Sequence, residues 1–389
     1  MNCPYAGTCG GCTRLDQPYR EQLTSKEATL RRLFGPHLPP SRRSGPLFLP
    51  VPQNGPDPVH FRQKVSFVFG TDASTRRLLM GHYRRGSQRL VSVDECAVHS
   101  DRGNRVAFAL FALLERAGVP AAGTSLSGLV RHLIVRTTAD DSQAVVMLVV
   151  TRNDKSLRAP IRALLDSPDR PDGFFININA EPGSFMVGDR TLRIDGVDNI
   201  REVVGGVSYL VSPDAFFQTN VAAAAVLQQH VVDSLQGATR VLDLYCGSGL
   251  FSLPLAAAGG RVTGVEESRR AVHDAQANAR LNRIPSSRVR FIASRTEDAV
   301  RRLAGDTWDA VILDPPRQGC ADAVLEAVFQ DMAPPTVTYV SCNPTALAAE
   351  LDGIVRCGYV VDDLRAVDMF PHTDHIEAIV TLSRMERGS

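Results

Sequence analysis

Two groups of cysteines stand where the chain could do chemistry. In TVTYVSCNPTALAAEL, a strand-like run from Thr336 to Val340 delivers Ser341, Cys342, Asn343 and Pro344, and a helix then begins. The mouth of a strand is where open sheets bind ligands, so Cys342 is a candidate nucleophile, against the ordinary use of cysteine as small buried filler. A nucleophilic cysteine reacts as the thiolate, and a helix starting near Thr345 would lower its pKa through the dipole at its N-terminus. The second group is Cys3, Cys9 and Cys12, with Cys96 further on in VDECAVH. Loop thiolates, one pair separated by two glycines, can converge on a metal centre. An all-thiolate set fits either iron–sulfur or zinc.

Carboxylates complete the set. VLDLYCGSGLFSLPLA places Asp243 inside a strand, then a Gly-Ser-Gly turn, then a helix. Glycine lets the backbone approach a ligand closely at such a junction. The next strand ends in Glu266, where doubly wound folds accept hydrogen bonds from a ribose diol. The turn Cys246–Gly247–Ser248–Gly249–Leu250 lacks the third glycine of a dinucleotide fingerprint. It resembles motif I of the class I S-adenosylmethionine methyltransferases. A later strand ends in LDPPRQG, where Asp314 and two prolines make a rigid wall at the sheet's carboxyl edge. Such a wall is common among methyltransferases acting on planar nitrogenous rings. HTDHIE gathers His372, Asp374, His375 and Glu377, with Glu377 a candidate base and a histidine a candidate proton relay.

The elements that must position these residues follow from hydrophobic pattern. After Thr219 the rhythm is helix, strand, helix, strand, with strands at 240–245, 261–266, 289–293, 308–314 and 336–341. That alternation predicts an α/β fold with a parallel-rich, class I (Rossmann-like) sheet over residues 205–389. Residues 1–204 read as an α+β region: KVSFVFG, HLIVRTT, AVVMLVV and FFININ are strand-like, and a helix is expected near 104–117. A further helix, roughly Tyr19 to Phe34 within a segment at about 17–50, is expected to pack on the catalytic domain. The chain of 389 residues carries a net charge of only +1, unevenly spread. Residues 1–139 hold 19 Lys+Arg against 9 Asp+Glu, and residues 205–389 hold 16 against 22, which suggests a polyanion partner for the front and catalysis at the back. No apolar run approaches the length of a membrane span, and no basic-then-apolar leader opens the chain, so a cytoplasmic protein without a membrane partner is expected. In that compartment eight cysteines point to metal or catalysis rather than disulfides.

CPYAGTCGGC, FFQTN, DLYCGSG, DPPRQG, SCNP and FPHTDHIE occur in this order along the chain. In that combination the sequence resembles the RNA uracil-C5 methyltransferases over essentially its whole length. Within them it is most similar to the RlmC/RumB branch acting on 23S rRNA, because it begins at the cysteine cluster without an oligonucleotide-binding barrel. The resemblance implies that Cys3, Cys9, Cys12 and Cys96 ligate a [4Fe–4S] cluster. It implies that Gln218, Tyr245, Glu266 and Asp314 contact S-adenosylmethionine, that Cys342 is the nucleophile and Glu377 the base, and that the partner is RNA, bound by a monomer. Two positions depart from the family pattern: Leu250 stands where some relatives have a cofactor-contacting Asn, and Arg295 where relatives carry Asn or Asp near the adenine.

The chemistry that this implies needs these residue types. Uracil C5 is too weak a nucleophile to attack a methyl sulfonium unaided; a thiolate added at C6 places electron density on C5, and a base must then remove the C5 proton. The ring must also leave its stack, most cheaply from a single-stranded loop. FRQKVSF and HYRRGSQR interleave basic side chains with Phe61, Phe67 and Tyr83, a candidate RNA face.

Overall fold

The computed structural model describes residues 3–52, 55, 58–183 and 186–385. Met1 and Asn2 of the irregular N-terminal stretch, and residues 53–54 and 56–57 of the proline-rich loop, lie outside them. The chain forms two compact units: Met1–Pro18, Gln53–Glu202 and Leu210–Val221 make the first, and Tyr19–Pro52, Val203–Tyr209 and Ala222–Ser389 the second. A single boundary at 204/205 therefore differs from the observed division in two places. The segment from Tyr19 lies with the second unit because Leu30, Phe34, Leu38 and Leu47 are buried in that unit's core. Leu210–Val221 lies with the first, where Lys64 and Arg136 donate to the Ala215 carbonyl and Gln63 N–H to that of Thr219.

The first helix, α1 (Tyr19–Phe34), thus belongs to the second unit. In the first unit come β1 (Lys64–Thr71), β2 (Leu78–Tyr83), β3 (Leu90–Ser92), α2 (Asp101–Arg116), β4 (Val130–Thr137), β5 (Ala144–Val150), α3 (Arg158–Leu165), β6 (Gly173–Ile178) and β7 (Arg190–Gly196). The strands form one sheet in the order β3-β2-β1-β4-β5-β6-β7, antiparallel except where β5 and β6 run parallel. β5, AVVMLVV, is buried along its whole length, which is why it reads as a continuous apolar run rather than an alternation. Ser100 caps α2 by accepting from Gly103 N–H. The helix lays Val106, Ala107, Leu110 and Leu114 into the same core as Phe67, Leu133, Leu148 and Phe174. Each such fully buried side chain contributes about 1.5–3 kcal/mol from apolar burial.

A hairpin, β8 (Ile200–Val204) and β9 (Val207–Val211), and α4 (Val221–Ser234) lead on. The second unit then runs β10 (Arg240–Leu244), α5 (Ser252–Ala257), β11 (Arg261–Glu266), α6 (Arg269–Leu281), β12 (Val289–Ala293), α7 (Thr296–Leu303), β13 (Ala310–Leu313), α8 (Asp322–Glu326), β14 (Thr336–Ser341), α9 (Pro344–Arg356), β15 (Tyr359–Val367) and β16 (Glu377–Arg384). The sheet order is β12-β11-β10-β13-β14-β16-β15. The first five are parallel neighbours, and β16 inserts antiparallel between β14 and β15. This is the expected doubly wound α/β sheet, whose order reverses beside β10 and opens a crevice at the strands' carboxyl ends. No described helix is long and apolar enough to cross a membrane.

Candidate active site

Four parallel strands of the second unit end at one edge, and each delivers a residue singled out from the sequence. Tyr245 follows β10, Glu266 closes β11, Asp314 follows β13 and Cys342 follows β14. The chain turns sharply after β10: Tyr245 takes φ 64°, Gly247 52° and Gly249 91°. A Cβ on Gly249 would press on Leu253 and Phe291, whereas nothing lies within 4 Å of one built on Gly247, so that side of the turn is open to a ligand. Glu266 accepts Gly247 N–H at 3.1 Å on one oxygen and Ser268 N–H at 2.8 Å on the other. A carboxylate has about four lone-pair sites, so capacity remains for a pair of hydroxyls. Asp243 lies fully buried behind the turn; Ser252 donates to its Oδ2 and Oδ1 has no partner. Burial, with the Glu266 carboxylate adding to it, pushes its pKa up to about 7.

The nucleophile and base candidates are brought together by strand register. The pairing of β14 with β16 ends at Ser341 and Ala378, so the next residues outward are Cys342 and Glu377, and the Glu377 carboxylate is close enough to act on the Cys342 thiol. Glu377 is 5% exposed and heads its strand, not a solvated strand-end carboxylate. The loop after β13 supplies Asp314 and Arg317 to the same place. Burial raises the Cys342 thiol, Glu377 and Asp314 add to the shift, and Arg317 opposes it. Burial likewise raises Glu377 well above the usual carboxylate range, with Asp314 adding and Arg317 opposing. The expected lowering of the thiol by the start of α9 is therefore outweighed. Helix α9 does begin at Pro344, capped by Asn343, but two acids from other strands act against its dipole. Burial and the neighbouring acids thus favour the protonated forms of Cys342 and Glu377, and Arg317 favours the ionised ones. A thiol, a buried acid and one cation around a single space can perform nucleophilic addition followed by proton abstraction.

The segment leading into Glu377 is held from α1. Gln22 grips His372 at both ends, Oε1 accepting the His372 backbone N–H at 2.9 Å and Nε2 lying 3.1 Å from Nδ1. Lys26 Nζ is 2.7 Å from Asp368 Oδ1, with the two side chains 1% and 2% exposed, and also donates to the Phe370 carbonyl. Removing one partner of such a buried pair costs about 3–5 kcal/mol, because the other charge is left uncompensated.

Gln218 lies half-buried in Leu210–Val221 of the first unit. In the same unit, Cys3, Cys9, Cys12 and Cys96 line one cavity of about 390 Å³ together with Arg62, Lys64 and His82. Tyr5 ties the N-terminal loop down, donating to Asp94 Oδ2 while accepting Asp94 N–H. Asn104 of α2 clamps the Cys96 backbone in both directions, at 3.0 Å each. Burial raises Cys12 to about 12, with Cys96 and Cys9 adding to it. Among the described residues, no three Cys, His, Asp or Glu side chains converge closely enough to hold one metal ion.

Residues 57–385 match the family model described as tRNA (uracil-5-)-methyltransferase. The chain belongs to the tRNA (uracil-5-)-methyltransferase family. It is an S-adenosylmethionine-dependent RNA methyltransferase acting at uracil C5. Among relatives, an uncharacterized RNA methyltransferase of Geobacter sulfurreducens is 33% identical over 98% of this chain and 76% of its own length. One of Gloeobacter violaceus is 34% identical over 98% of this chain and 82% of its own. Among solved structures, the Pyrococcus abyssi tRNA (uracil-54, C5)-methyltransferase in complex with S-adenosyl-L-homocysteine is similar with a TM-score of 0.78 and 26% identity, covering 96% of this chain and 86% of that one.

Three details of this uracil-5-methyltransferase differ from the reading of its sequence. Phe67 is 0% exposed, an inward residue of the alternating β1, and Phe61, 8% exposed, is buried ahead of that strand, so of the three aromatics only Tyr83 is available to RNA. Lys64 is spent on the Ala215 carbonyl, and burial lowers its pKa to about 7. The basic residues that do reach solvent are Arg84, Arg85 and Arg89 in the β2–β3 turn. Leu250 is a core residue whose carbonyl accepts from Tyr209 and Gln228, and exposed Arg295 turns to Glu297 at 3.5 Å. Arg317, the cation opposing both acid shifts, was not singled out at all. An exposed arginine after two prolines carries no periodic signal.

Proposed function

We propose that this enzyme methylates its uridine by covalent catalysis, with Cys342 as nucleophile and Glu377 as base. The observation that carries this is the placing of Cys342 and Glu377 just beyond the last rung of β14 and β16, close enough to act on each other, at the strand edge that also bears Tyr245, Glu266 and Asp314. S-adenosylmethionine, when bound, supplies the methyl group as an electrophilic sulfonium. Glu266 would accept from its ribose hydroxyls at the open Gly247 turn, and Tyr245 and Asp314 would line the crevice, with Gln218 a fourth contact. Cys342 loses its proton to solvent and its sulfur bonds to C6, moving the C5–C6 π pair onto C5 and the neighbouring carbonyl. C5 takes up the methyl group, with a neutral thioether as the leaving group. Glu377, its own proton also released to solvent, takes the C5 proton, the ring double bond re-forms, and the Cys342 thiolate leaves. Arg317 favours the ionised form of both groups, as its opposing influence on each indicates.

We infer further that Cys3, Cys9, Cys12 and Cys96 hold a [4Fe–4S] cluster. Buried thiols that raise one another need a cationic centre to ionise together, and these four share a cavity. A single zinc ion, with sulfurs about 2.3 Å away, would need all of them near one point. The all-thiolate set and the motif resemblance support a polynuclear centre, which would supply a redox-active cross-link between the N-terminal loop and Cys96.

The substrate we propose is 23S rRNA, on the strength of the motif set that includes the four cysteines. A second reading, tRNA, is favoured by the likeness to the Pyrococcus abyssi tRNA (uracil-54, C5)-methyltransferase. Mass spectrometry of rRNA and tRNA fragments from cells with and without the gene decides: one 5-methyluridine should vanish from a 23S fragment, and its loss from tRNA alone selects the second reading. Arg84 and Arg85 should contact phosphates. Replacing both with Ala should weaken RNA binding and reduce the slope of log K against log salt by roughly 1–2. An unchanged slope would move the RNA face elsewhere.

A further inference from the structure

The loop after β13 carries Asp314 and Arg317, the two charged groups beside the Cys342 and Glu377 pair, and it is stapled to α9 at both ends. At one end Asn343 Nδ2 donates to the Arg317 carbonyl at 2.9 Å. At the other, Glu350, on the second turn of α9, accepts the Cys320 backbone N–H on Oε1 at 3.1 Å and the Tyr339 hydroxyl on Oε2 at 2.6 Å. Gly319, at φ 85°, lies between the staples, and a Cβ there would overlap Glu350 Oε1. The Cys320 thiol lies within hydrogen-bond reach of Tyr339 on one side and of Tyr245 in the cofactor turn on the other. One half-buried carboxylate therefore joins the nucleophile's helix, its strand β14, the loop after β13 and, through Cys320, the wall of the cofactor crevice.

We propose that Glu350 is a positioning residue for methyl transfer: its two-pronged hold on Cys320 and Tyr339 sets where Arg317 stands relative to Cys342. This rests on the covalent reading above. Glu350 itself touches no reacting atom. Tyr339, Cys320 and Asp322 are the ionisable groups around it. Those facing Cys342 are Glu377 from β16 and Asp314 and Arg317 from the loop after β13. Of these, only Arg317 favours the thiolate. Asp314 is held at the end of β13 by its N–H on the Leu244 carbonyl, whereas Arg317 lies on the stapled part of the loop, so loosening the staple displaces the one stabilising charge and leaves the two acids.

The test needs neither RNA nor cofactor. The rate of Cys342 alkylation by iodoacetamide is followed against pH by mass spectrometry of the Cys342 peptide, in the full chain and in Glu350→Gln and Tyr339→Phe. Glutamine keeps the shape but offers one acceptor where the carboxylate offers two. The midpoint should rise by about half a pH unit or more in each single variant, while the melting temperature stays within a few degrees. The double variant should shift no further than the larger single shift, because both changes cut one network. A lowered melting temperature with an unmoved midpoint would make Glu350 merely structural and overturn the proposal, as would additive shifts. kcat for uridine methylation should fall about tenfold in Glu350→Gln, with the KM for RNA little changed. A wild-type chain without uridine methylation would defeat the covalent reading instead, and the alkylation midpoints would still report on Glu350.

Discussion

Cys342→Ala should abolish methyl transfer, and Glu377→Gln should stop the reaction one stage later, with methylated RNA still bonded to the protein. The two failures differ because the two groups act on opposite sides of the methylation step. Without the thiol nothing activates C5, and loss of a nucleophile of this kind lowers turnover by a factor on the order of 10⁴–10⁶. Without the base, Cys342 can still add and C5 can still accept the methyl group, but elimination waits on the C5 proton, so turnover falls by about 10²–10⁴ while the adduct accumulates. The Gln variant should fold normally. Burial raises Glu377 well above the usual carboxylate range and so favours its neutral form, which an amide of the same shape imitates. A denaturing gel with cofactor labelled in its methyl group and a uridine-containing RNA reads the outcome: a labelled, shifted band for Glu377→Gln and none for Cys342→Ala. Normal turnover of Glu377→Gln with no trapped species would move the base to another group. His375 would be the first to try, although it is exposed and its ring rests against Phe370.

The legible part of this site was what a single element displays. Strand ends, the glycine turn and a cysteine at a strand mouth each show in a few consecutive residues, because parallel strands buried on both faces read as apolar runs ended by punctuation. What stayed hidden depends on register between distant segments. That Glu377 meets Cys342, and raises rather than lowers its thiol, follows from β16 inserting beside β14 with α9 and β15 between them in the chain. The start of α9 favours the Cys342 thiolate, but burial of the thiol, with two carboxylates delivered by other strands adding to it, outweighs that local effect. Phe67 shows the opposite limit: basic residues interleaved with aromatics look like a nucleic-acid face, yet in a strand the alternation itself sends the aromatic inward. The inward face of α1 was visible as leucines at helical spacing.

Replacing Cys12 with Ala should strip iron and sulfide from anaerobically purified protein and loosen the front unit locally rather than unfold it. Cys12 is half-buried and lines the four-cysteine cavity, so its loss would leave the proposed centre with three ligands and a gap. The loop from Cys3 to Cys12 otherwise has few anchors: the Tyr5 hydroxyl on Asp94, the Gly10 N–H on the Tyr83 carbonyl at 2.9 Å, and the bridge between Cys9 and Arg84. The sheet and its helices keep their own core of Phe67, Leu110, Leu133, Leu148 and Phe174, to which Cys12 contributes nothing. The damage should therefore stay in the loop and in what it props. Gly10 lies so close to Tyr83 and Arg85 that a Cβ would press on their backbone, which makes the N-terminal loop the backing of the basic β2–β3 turn. Freed of the cluster, that turn should lose order, and RNA affinity should fall by about as much as in the Arg84 and Arg85 double variant. Protease cleavage within residues 3–12, metal and sulfide analysis, and RNA titrations at two salt concentrations would be read on the same preparation. Zinc without iron or sulfide in the unmodified protein would replace the cluster by a single-ion site. Loss of iron with unchanged cleavage and unchanged RNA affinity would leave the cluster without a part in shaping the RNA face.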